Sequence, residues 1–261
     1  MTIPAAMGVT LAILLVYMTL VWLLSLVRRD AGVVDSFWGI GFVVAVAAYF
    51  VLTEGFAGRR ILVIALTCLW GLRLAVYVTW RNRGKGEDPR YRAMRAKRPD
   101  SFWWYSYLQV FLMQAALLWL VAAPLAASEG GAEPARLVAL DFVGLAVWVV
   151  GFSFEVAGDT HLALFKRDPA NKGQVLRSGV WRYTRHPNYF GEALLWWGMW
   201  LIAAAAHGYW SAYGPVVITL LLLRVSGVTL LEKNLKESKP GYAEYVERTS
   251  SFIPWFPRKR L

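Results

Sequence analysis

Residues 3–27 read IPAAMGVTLAILLVYMTLVWLLSLV, a run that contains no charged side chain. A helix needs about 20 mostly apolar residues to cross the hydrocarbon core of a bilayer. No basic residue precedes the run, Arg28 and Arg29 follow it, and it is too long for the apolar core of a secretory signal. The stretch therefore predicts a retained membrane-spanning helix.

The composition extends this prediction to the whole chain. Of 261 residues, 57% are hydrophobic and 17% are charged, whereas soluble domains average about 45–50% and about 25%. Similar apolar runs recur, and the predicted spans lie near residues 3–27, 34–53, 61–80, 102–127, 137–157, 190–207 and 210–231. We expect an all-α polytopic membrane protein of about seven transmembrane helices. The single Cys68 excludes a disulfide framework.

The distribution of basic residues predicts the orientation. Loops after the first, third, fifth and seventh spans carry 2, 8, 6 and 7 of the 28 Lys and Arg residues, whereas the other loops hold Arg59, Arg60 and Arg136. Cytoplasmic loops are enriched in Lys and Arg. We therefore expect an integral protein of the bacterial inner-membrane type, with the N-terminus outside and the C-terminus in the cytoplasm. This explains most of the net charge of +11 without a nucleic-acid partner.

Two helical stripes place one charge among aromatic side chains. Asp35, Trp38 and Phe42 share one helix face, and Trp70, Arg73 and Tyr77 share another, because each set has i, i+3 and i+7 spacing. Such faces could bind an apolar substrate that carries one polar oxygen. Aromatic stripes at this spacing are also typical of helix cores, and ionisable groups in spans can simply pair with one another.

A second candidate site lies at the start of the sixth predicted span. Asn188 and Glu192 are four residues apart, and Arg185, His186 and Pro187 precede them. A helix N-terminus leaves backbone donors free, which suits an anionic or carboxamide group. The nearby basic residues are equally expected from the cytoplasmic enrichment alone; they are Lys166, Arg167, Lys172 and Arg182.

Other chemistries lack their sequence patterns. His161, His186 and His207 are isolated, so no metal site is predicted. The chain contains no nucleophile-elbow motif, no phosphate-binding P-loop and no glycine-rich dinucleotide fingerprint. Any dinucleotide would be bound without a Rossmann fold.

The segment SGVWRYTRHPNYFGE at residues 178–192, followed by a Trp-rich helix, resembles the C-terminal domain of steroid 5-alpha-reductases and sterol reductases. The resemblance covers roughly residues 150–257 and includes Asp159, Arg224 and the tail from Tyr242 to Pro254. The N-terminal half, with VDSFWG at 34–39 and RNRGKGEDPRY at 81–91, looks like an uncharacterised bacterial branch. The chain lacks the Gln-Glu pair of the steroid enzymes, which leaves the substrate and the proton donor open.

The resemblance implies a membrane-embedded reductase that uses NADPH to reduce a conjugated C=C bond in a lipid-like enone, for example a 3-oxo-4-ene steroid. It divides one membrane domain into substrate-side helices at 1–127 and a cofactor-binding part at 137–261. The residues it places around the cofactor are Asp159, Lys172, Arg182, Arg185, His186, Asn188, Tyr189, Glu192 and Arg224. From the stripes, we expect Asp35 or Tyr77 as the acid, Arg73 beside them, and Trp38, Phe42 and Trp70 against the substrate.

Two alternatives stay open from the sequence. The Arg-His-Pro-x-Tyr-x-Gly-Glu block also resembles isoprenylcysteine carboxyl methyltransferases, which bind S-adenosylmethionine at the corresponding place. A methyltransferase acting on a thiol or carboxylate of a lipid-modified substrate is therefore the second reading. The third is a transporter or structural bundle, although paired inverted repeats are not evident. The oligomeric state leaves no trace in the sequence.

Overall fold

A computed structural model describes residues 1–225 and 240–258, and this part of the chain is helical. Its helices are α1 (Ile3–Arg28), α2 (Val33–Leu52), α3 (Ala57–Asn82), α4 (Pro89–Lys97), α5 (Phe102–Ser106), α6 (Met113–Val121), α7 (Ala123–Gly130), α8 (Ala139–Arg167), α9 (Pro187–Ala205), α10 (Tyr213–Leu220) and α11 (Tyr242–Arg248). A π-helical stretch, Tyr107–Leu112, joins α5 to α6, and another, Leu221–Val225, follows α10. Within these residues no β-strand forms, which confirms the all-α prediction.

Within residues 1–225 and 240–258, five helical segments are long and apolar enough to cross a membrane: α1, α2, α3, the continuous stretch Phe102–Val121, and α8. They confirm the prediction of an integral membrane protein. The predicted sixth span corresponds to α9, which is not among the five. The predicted seventh span is only partly described, because residues 226–231 lie outside the described residues. The count of seven therefore stays a prediction.

The fourth span ends earlier than the sequence predicts. The apolar run continues to residue 127, but the helix breaks at Ala122, whose ψ is near 1°. Pro124 in the first turn of α7 has no N–H to continue the helical bonding. The apolar pattern alone does not predict this break, because α7 is also mostly apolar and buried.

Unit 1 of the fold comprises Met1–Asp141 and Ile202–Gly214. Its two central helices, α2 and α3, cross at Gly39 and Gly71, where a β carbon on Gly71 would lie 2.5 Å from the Gly39 carbonyl oxygen. Small residues allow this approach, and apolar side chains then fill the space on either side. Phe42 and Trp70 are both fully buried in this core.

Two ion pairs lie at the end of unit 1 where the chain turns from α2 into α3. Arg59 Nε lies 2.8 Å from Asp141 Oδ1, with both side chains fully buried. Arg60 Nε lies 3.1 Å from Glu129 Oε2, and the Glu129 side chain is also fully buried. Burial raises the pKa of Glu129 to about 7, despite the opposing hydrogen bond and charge of Arg60. Breaking such a buried pair leaves one charge without compensation, so these contacts hold α3 to the segments around α7 and Asp141.

Unit 2 comprises Phe142–Leu201 and Pro215–Leu261. The helices α8 and α9 run antiparallel and meet through glycines spaced seven apart on each helix. A β carbon on Gly151 would lie 2.5 Å from Leu195 N, and one on Gly198 would lie 2.6 Å from Trp148 N. A β carbon on Gly191 would collide with Glu155 N and Gly151 O. The two backbones are therefore in direct contact.

We predict that Gly191→Ala destabilises the protein by about 1–3 kcal/mol, because the added methyl group cannot fit against the α8 backbone. The matched control is Gly8→Ala in α1, where a β carbon meets nothing within 4 Å. That change should be neutral or stabilising by about 0.5–1 kcal/mol, since alanine is the better helix former. Thermal unfolding in detergent measures both. Equal melting temperatures for the two variants would contradict the close crossing.

We also predict that Glu129 makes stability pH-dependent. Its folded pKa of about 7 is above the ordinary value of 4.5, so its contribution is most favourable below pH 4.5 and declines as the pH rises through 7. Glu129→Gln should remove this decline, which is on the order of 3 kcal/mol for a shift of this size. Unfolding followed between pH 4.5 and 8 tests this, with exposed Glu54→Gln as the control. An unchanged pH profile in Glu129→Gln would refute it.

Candidate functional site

The glycine crossing in unit 2 positions a buried polar cluster at the start of α9. Pro187 is the first residue of α9, and Gly158 of α8 lies against the Asn188 backbone. One residue further along α8, Asp159 is 4% exposed, and its Oδ1 accepts a hydrogen bond from Asn188 Nδ2 at 3.2 Å. Glu155, one turn earlier on the same face, is 2% exposed. Two buried carboxyl groups and an amide thus share one end of the helix pair.

Two chain segments pair with each other just before α9, and we call this pairing of residues 183–185 with residues 250–255 the strap. Residues 183–185 lie alongside residues 250–255, with one parallel bridge between Thr184 and Ser250. The Arg185 N–H donates to Ser250 O at 2.9 Å, and Thr184 Oγ1 donates to Phe252 O at 2.8 Å. Trp255 N–H donates to Tyr183 O at 2.9 Å. The start of α9 is therefore fixed by the C-terminal segment.

Arg185 has a structural role that its sequence position does not reveal. Its side chain is buried, and Nη1 donates to Val246 O at 3.0 Å and to Thr249 O. Sequence analysis places Arg185 at the cofactor phosphates, and that assignment stays a prediction. The described contacts instead show the guanidinium ordering the end of α11.

The remaining predicted cofactor residues divide into a buried and an exposed group. His186 is buried and stacks on Tyr189, with ring centroids 5.6 Å apart and an interplanar angle of 4°. Glu192 is half-buried. The exposed residues are Lys172, Arg182 and Arg224. The cluster therefore combines enclosed polar groups with cations at the surface, and the assignment of each residue to a cofactor stays a prediction.

Trp181 and Tyr245 also belong to this cluster, although sequence analysis did not single them out as site residues. Trp181 Nε1 donates to Gly158 O at 3.1 Å, and the Tyr245 hydroxyl donates to Trp181 O. Trp181 lies in segment 178–192 and Tyr245 in segment 242–254, and both segments resemble the reductases. The resemblance could therefore have identified these two residues. Their hydrogen bonds to backbone carbonyls could not be inferred from spacing.

In unit 1, Asp35 lies at the start of α2 and is bound by two side chains from α4. Arg90 Nη2 donates to Asp35 Oδ2 at 2.7 Å, and the Tyr91 hydroxyl donates to Oδ1 at 3.0 Å. Asp88 caps α4 by accepting from the Arg90 N–H at 2.9 Å and also binds the Arg90 side chain. Burial, with the Asp35 charge in addition, raises the pKa of Tyr91. Asp35 is thus part of a network, and Arg90 and Tyr91 are its unpredicted members.

A neighbouring carboxylate holds this network to the turn between α1 and α2. Glu87 accepts from Arg95 Nη2 at 2.8 Å and from the Ala31 N–H at 2.9 Å. Although burial alone would raise the pKa of Glu87, these hydrogen bonds and the arginine charges hold it below its ordinary value. The sequence GEDPRY contains the signal for the helix start, since Asp before Pro is typical of a cap followed by a first helical residue.

The aromatic stripes are continuous within unit 1. Trp38 contacts Phe42, and Phe42 contacts Trp70, in both cases edge to face with centroids 5.4 Å apart. Because Phe42 and Trp70 are fully buried, these two rings form core, while Trp38 is half-buried. Their predicted contact with a substrate stays a prediction.

The second stripe borders an apolar groove along α3. Arg73 Cζ lies 5.2 Å from the centroid of the Tyr77 ring. The groove has a volume of about 620 Å³ and is lined by Cys68, Leu69, Leu72, Arg73, Val76, Tyr77 and Trp80. It presents one guanidinium and one phenol on an otherwise apolar surface. Across residues 1–225 and 240–258, no group of three or more His, Cys, Asp or Glu residues could hold a metal ion.

Comparison with known proteins gives a family without an assigned activity. An uncharacterized protein of Schizosaccharomyces pombe is 26% identical, and the match covers 97% of this chain and 80% of the relative. No solved structure matches the chain. Residues 21–249 match the model of a family described as "Protein of unknown function (DUF1295)". Since that match takes in the spans of both units and the polar cluster, the chain belongs to the DUF1295 family.

Proposed function

We propose that this protein is a membrane-embedded, NADPH-dependent reductase of a conjugated C=C bond in a lipid-like enone. The observation that carries the proposal is the cluster of buried Glu155 and Asp159 with half-buried Asn188 at the start of α9. Carboxylate oxygens accept hydrogen bonds, and the amide of Asn188 both donates and accepts them. A nucleotide cofactor offers matching groups through its ribose hydroxyls and its carboxamide.

The residues present fit NADPH in their chemistry. Asp159 and Glu155 can accept hydrogen bonds from hydroxyl and amide N–H groups, and the amide of Asn188 can pair with a carboxamide. The flat stack of His186 on Tyr189 offers an aromatic surface beside them. The exposed Lys172 and Arg182 can bind phosphate oxygens. The resemblance to sterol reductases over residues 150–257 adds independent support.

When bound, NADPH would supply the hydride that adds to the β carbon of the enone. The chain must then stabilise the charge that develops on the carbonyl oxygen and deliver a proton. We propose the Asp35–Tyr91 pair for this role, because a carboxyl and a phenol group are held together there by a hydrogen bond of 3.0 Å. Tyr77, beside Arg73 in the α3 groove, is the other donor that we propose.

The substrate class follows from the surface that unit 1 presents. The α3 groove is almost entirely apolar, and Arg73 and Tyr77 are its polar members. A flat, apolar molecule with one carbonyl oxygen matches this surface. We therefore propose an enone that partitions into the bilayer, with a steroid as one example.

The proposed topology has the N-terminus outside, seven spans and the C-terminus in the cytoplasm, as in a bacterial inner membrane. The count of Lys and Arg residues supports it, since the loops on the proposed outer side hold Arg59, Arg60 and Arg136, whereas the other loops hold 23. The exposed cations concentrate in the loops that we assign to the cytoplasm, which is also the side that we propose for the cofactor.

The second candidate is an S-adenosylmethionine-dependent methyltransferase. The same cluster favours it to a lesser degree, since buried carboxyl groups can bind the ribose hydroxyls and the ammonium group of S-adenosylmethionine. That cofactor is not a polyanion and has less use for Lys172 and Arg182. A methyltransferase also needs no proton donor to a carbonyl, so Asp35→Asn would leave its activity unchanged.

We predict that the purified protein binds NADPH, and that Asp159→Asn or Asn188→Ala weakens binding by about tenfold to a hundredfold. Asp159→Asn removes a hydrogen bond to a charged carboxylate, and Asn188→Ala removes one to an amide. Each bond is worth about 1.5–3 kcal/mol. Calorimetric titration in mild detergent measures the affinity. Asp168→Asn is the matched control, because its exposed carboxylate only accepts from the Ala170 N–H in a neighbouring turn. Binding of S-adenosylmethionine and not of NADPH would overturn the reductase proposal.

We further predict that Asp35→Asn and Tyr91→Phe lower turnover by about 10²- to 10⁴-fold, as expected for loss of an acid catalyst, while the affinity for NADPH is unchanged. Oxidation of NADPH in the presence of a panel of apolar enones is the assay. Tyr77→Phe, measured in parallel, distinguishes the two proposed donors.

The control for this experiment is Asp88→Asn. Asp88 binds the same Arg90 but does not contact Tyr91, so turnover should fall only slightly. An equal loss in Asp88→Asn would show that Asp35 acts by holding α4 and not as part of the acid. An unaltered rate in Asp35→Asn would remove it from the mechanism.

A further inference from the structure

The C-terminal segment of unit 2 presents large apolar side chains outside the candidate spans. Ile253, Trp255 and Phe256 are 66%, 72% and 76% exposed, and we call these three residues the apolar edge. In a spanning helix such exposure is ordinary, since lipid covers the surface. In the non-helical segment that follows helix α11, it requires a different explanation.

The apolar edge belongs to an ordered part of the fold. The N–H of Trp255 donates to Tyr183 O at 2.9 Å, and the N–H of Arg258 donates to Arg248 O at 2.9 Å. Phe252, next to Ile253, is half-buried and meets Phe190 of α9 edge to face with centroids 5.9 Å apart. Backbone hydrogen bonds and this ring contact therefore hold the segment that carries the apolar edge.

Exposed cations surround the apolar edge. Arg182 and Arg258 are exposed and Arg248 is half-buried. Arg248 Nη1 lies 3.7 Å from Glu244 Oε1. Tyr183, itself 37% exposed, packs edge to face on Phe256 at 6.0 Å. The surface thus combines aromatic and aliphatic groups with positive charge.

We propose that the apolar edge inserts into the polar–apolar boundary of the bilayer that the helices of this chain span. Tryptophan favours that boundary, and arginines beside it can reach anionic phosphates. Pro254 and Pro257 flank Trp255 and Phe256 and have no N–H, which lowers the number of backbone donors brought close to lipid. The bonds from the edge to Tyr183 then couple membrane contact to the segment that begins α9.

Site-specific labelling tests this proposal, because Cys68 is the chain's single cysteine. In a Cys68→Ser background, Trp255→Cys or Ile253→Cys is labelled with an environment-sensitive fluorophore and the protein is placed in phosphatidylcholine–phosphatidylglycerol vesicles. Gln174→Cys, at an exposed turn of the same unit, is the matched control. The quenchers are iodide in the water and doxyl-labelled lipid in the bilayer.

We expect the label at 253 or 255 to shift to the blue and to be quenched by doxyl lipid, with most of its iodide quenching lost. The label at 174 should show the reverse. If the labels at 253 and 255 respond to iodide as strongly as the label at 174, the edge faces water and the proposal fails. It also fails if neither quencher reaches them and the shielding falls on dilution of the protein in lipid, because a second protein chain then covers the edge.

Discussion

The contact on which unit 2 depends is the backbone crossing between α8 and α9. Hydrocarbon gives helices little apolar drive to associate, so close packing must supply it, and only glycine allows two backbones to touch. Gly151 and Gly191 form this contact. The same crossing brings Gly158 against Asn188, which sets the amide of Asn188 beside the carboxyl group of Asp159. The polar cluster therefore follows from the glycine spacing on two helices.

The strap fixes the backbone on either side of the polar cluster through hydrogen bonds. Helix α9 begins at Pro187, and the residues before it have no helical partners for their backbone groups. The Arg185 N–H donates to Ser250 O, and the Thr184 hydroxyl donates to Phe252 O. The Arg185 side chain in turn donates to carbonyls at the end of α11. A single basic residue thus stabilises the backbone on both sides of the site.

The apolar runs predict most of the helices because helix length and hydropathy are local properties. The start of α9 is also predictable, since Pro187 and the block around Asn188 are local signals. The partners of Asp35 are not, because Arg90 and Tyr91 reach it across 55 and 56 residues of sequence. The break at Ala122 is also not predictable from hydropathy, because a single proline interrupts a run that stays apolar on both sides of it.

Charge pairing explains why the two ends of unit 1 contribute differently to the proposed topology. Arg59 and Arg60 stand where cations oppose the proposed orientation, and each is matched by a buried carboxyl group. Removing two ions from water costs several kcal/mol, so such pairs persist only when further hydrogen bonds compensate. Arg59 makes them to Pro134 O and Arg136 O. In α4, by contrast, Arg90 and Arg95 are partly exposed in their pairs. Cations are thus buried at one end of the unit and accessible to solvent at the other.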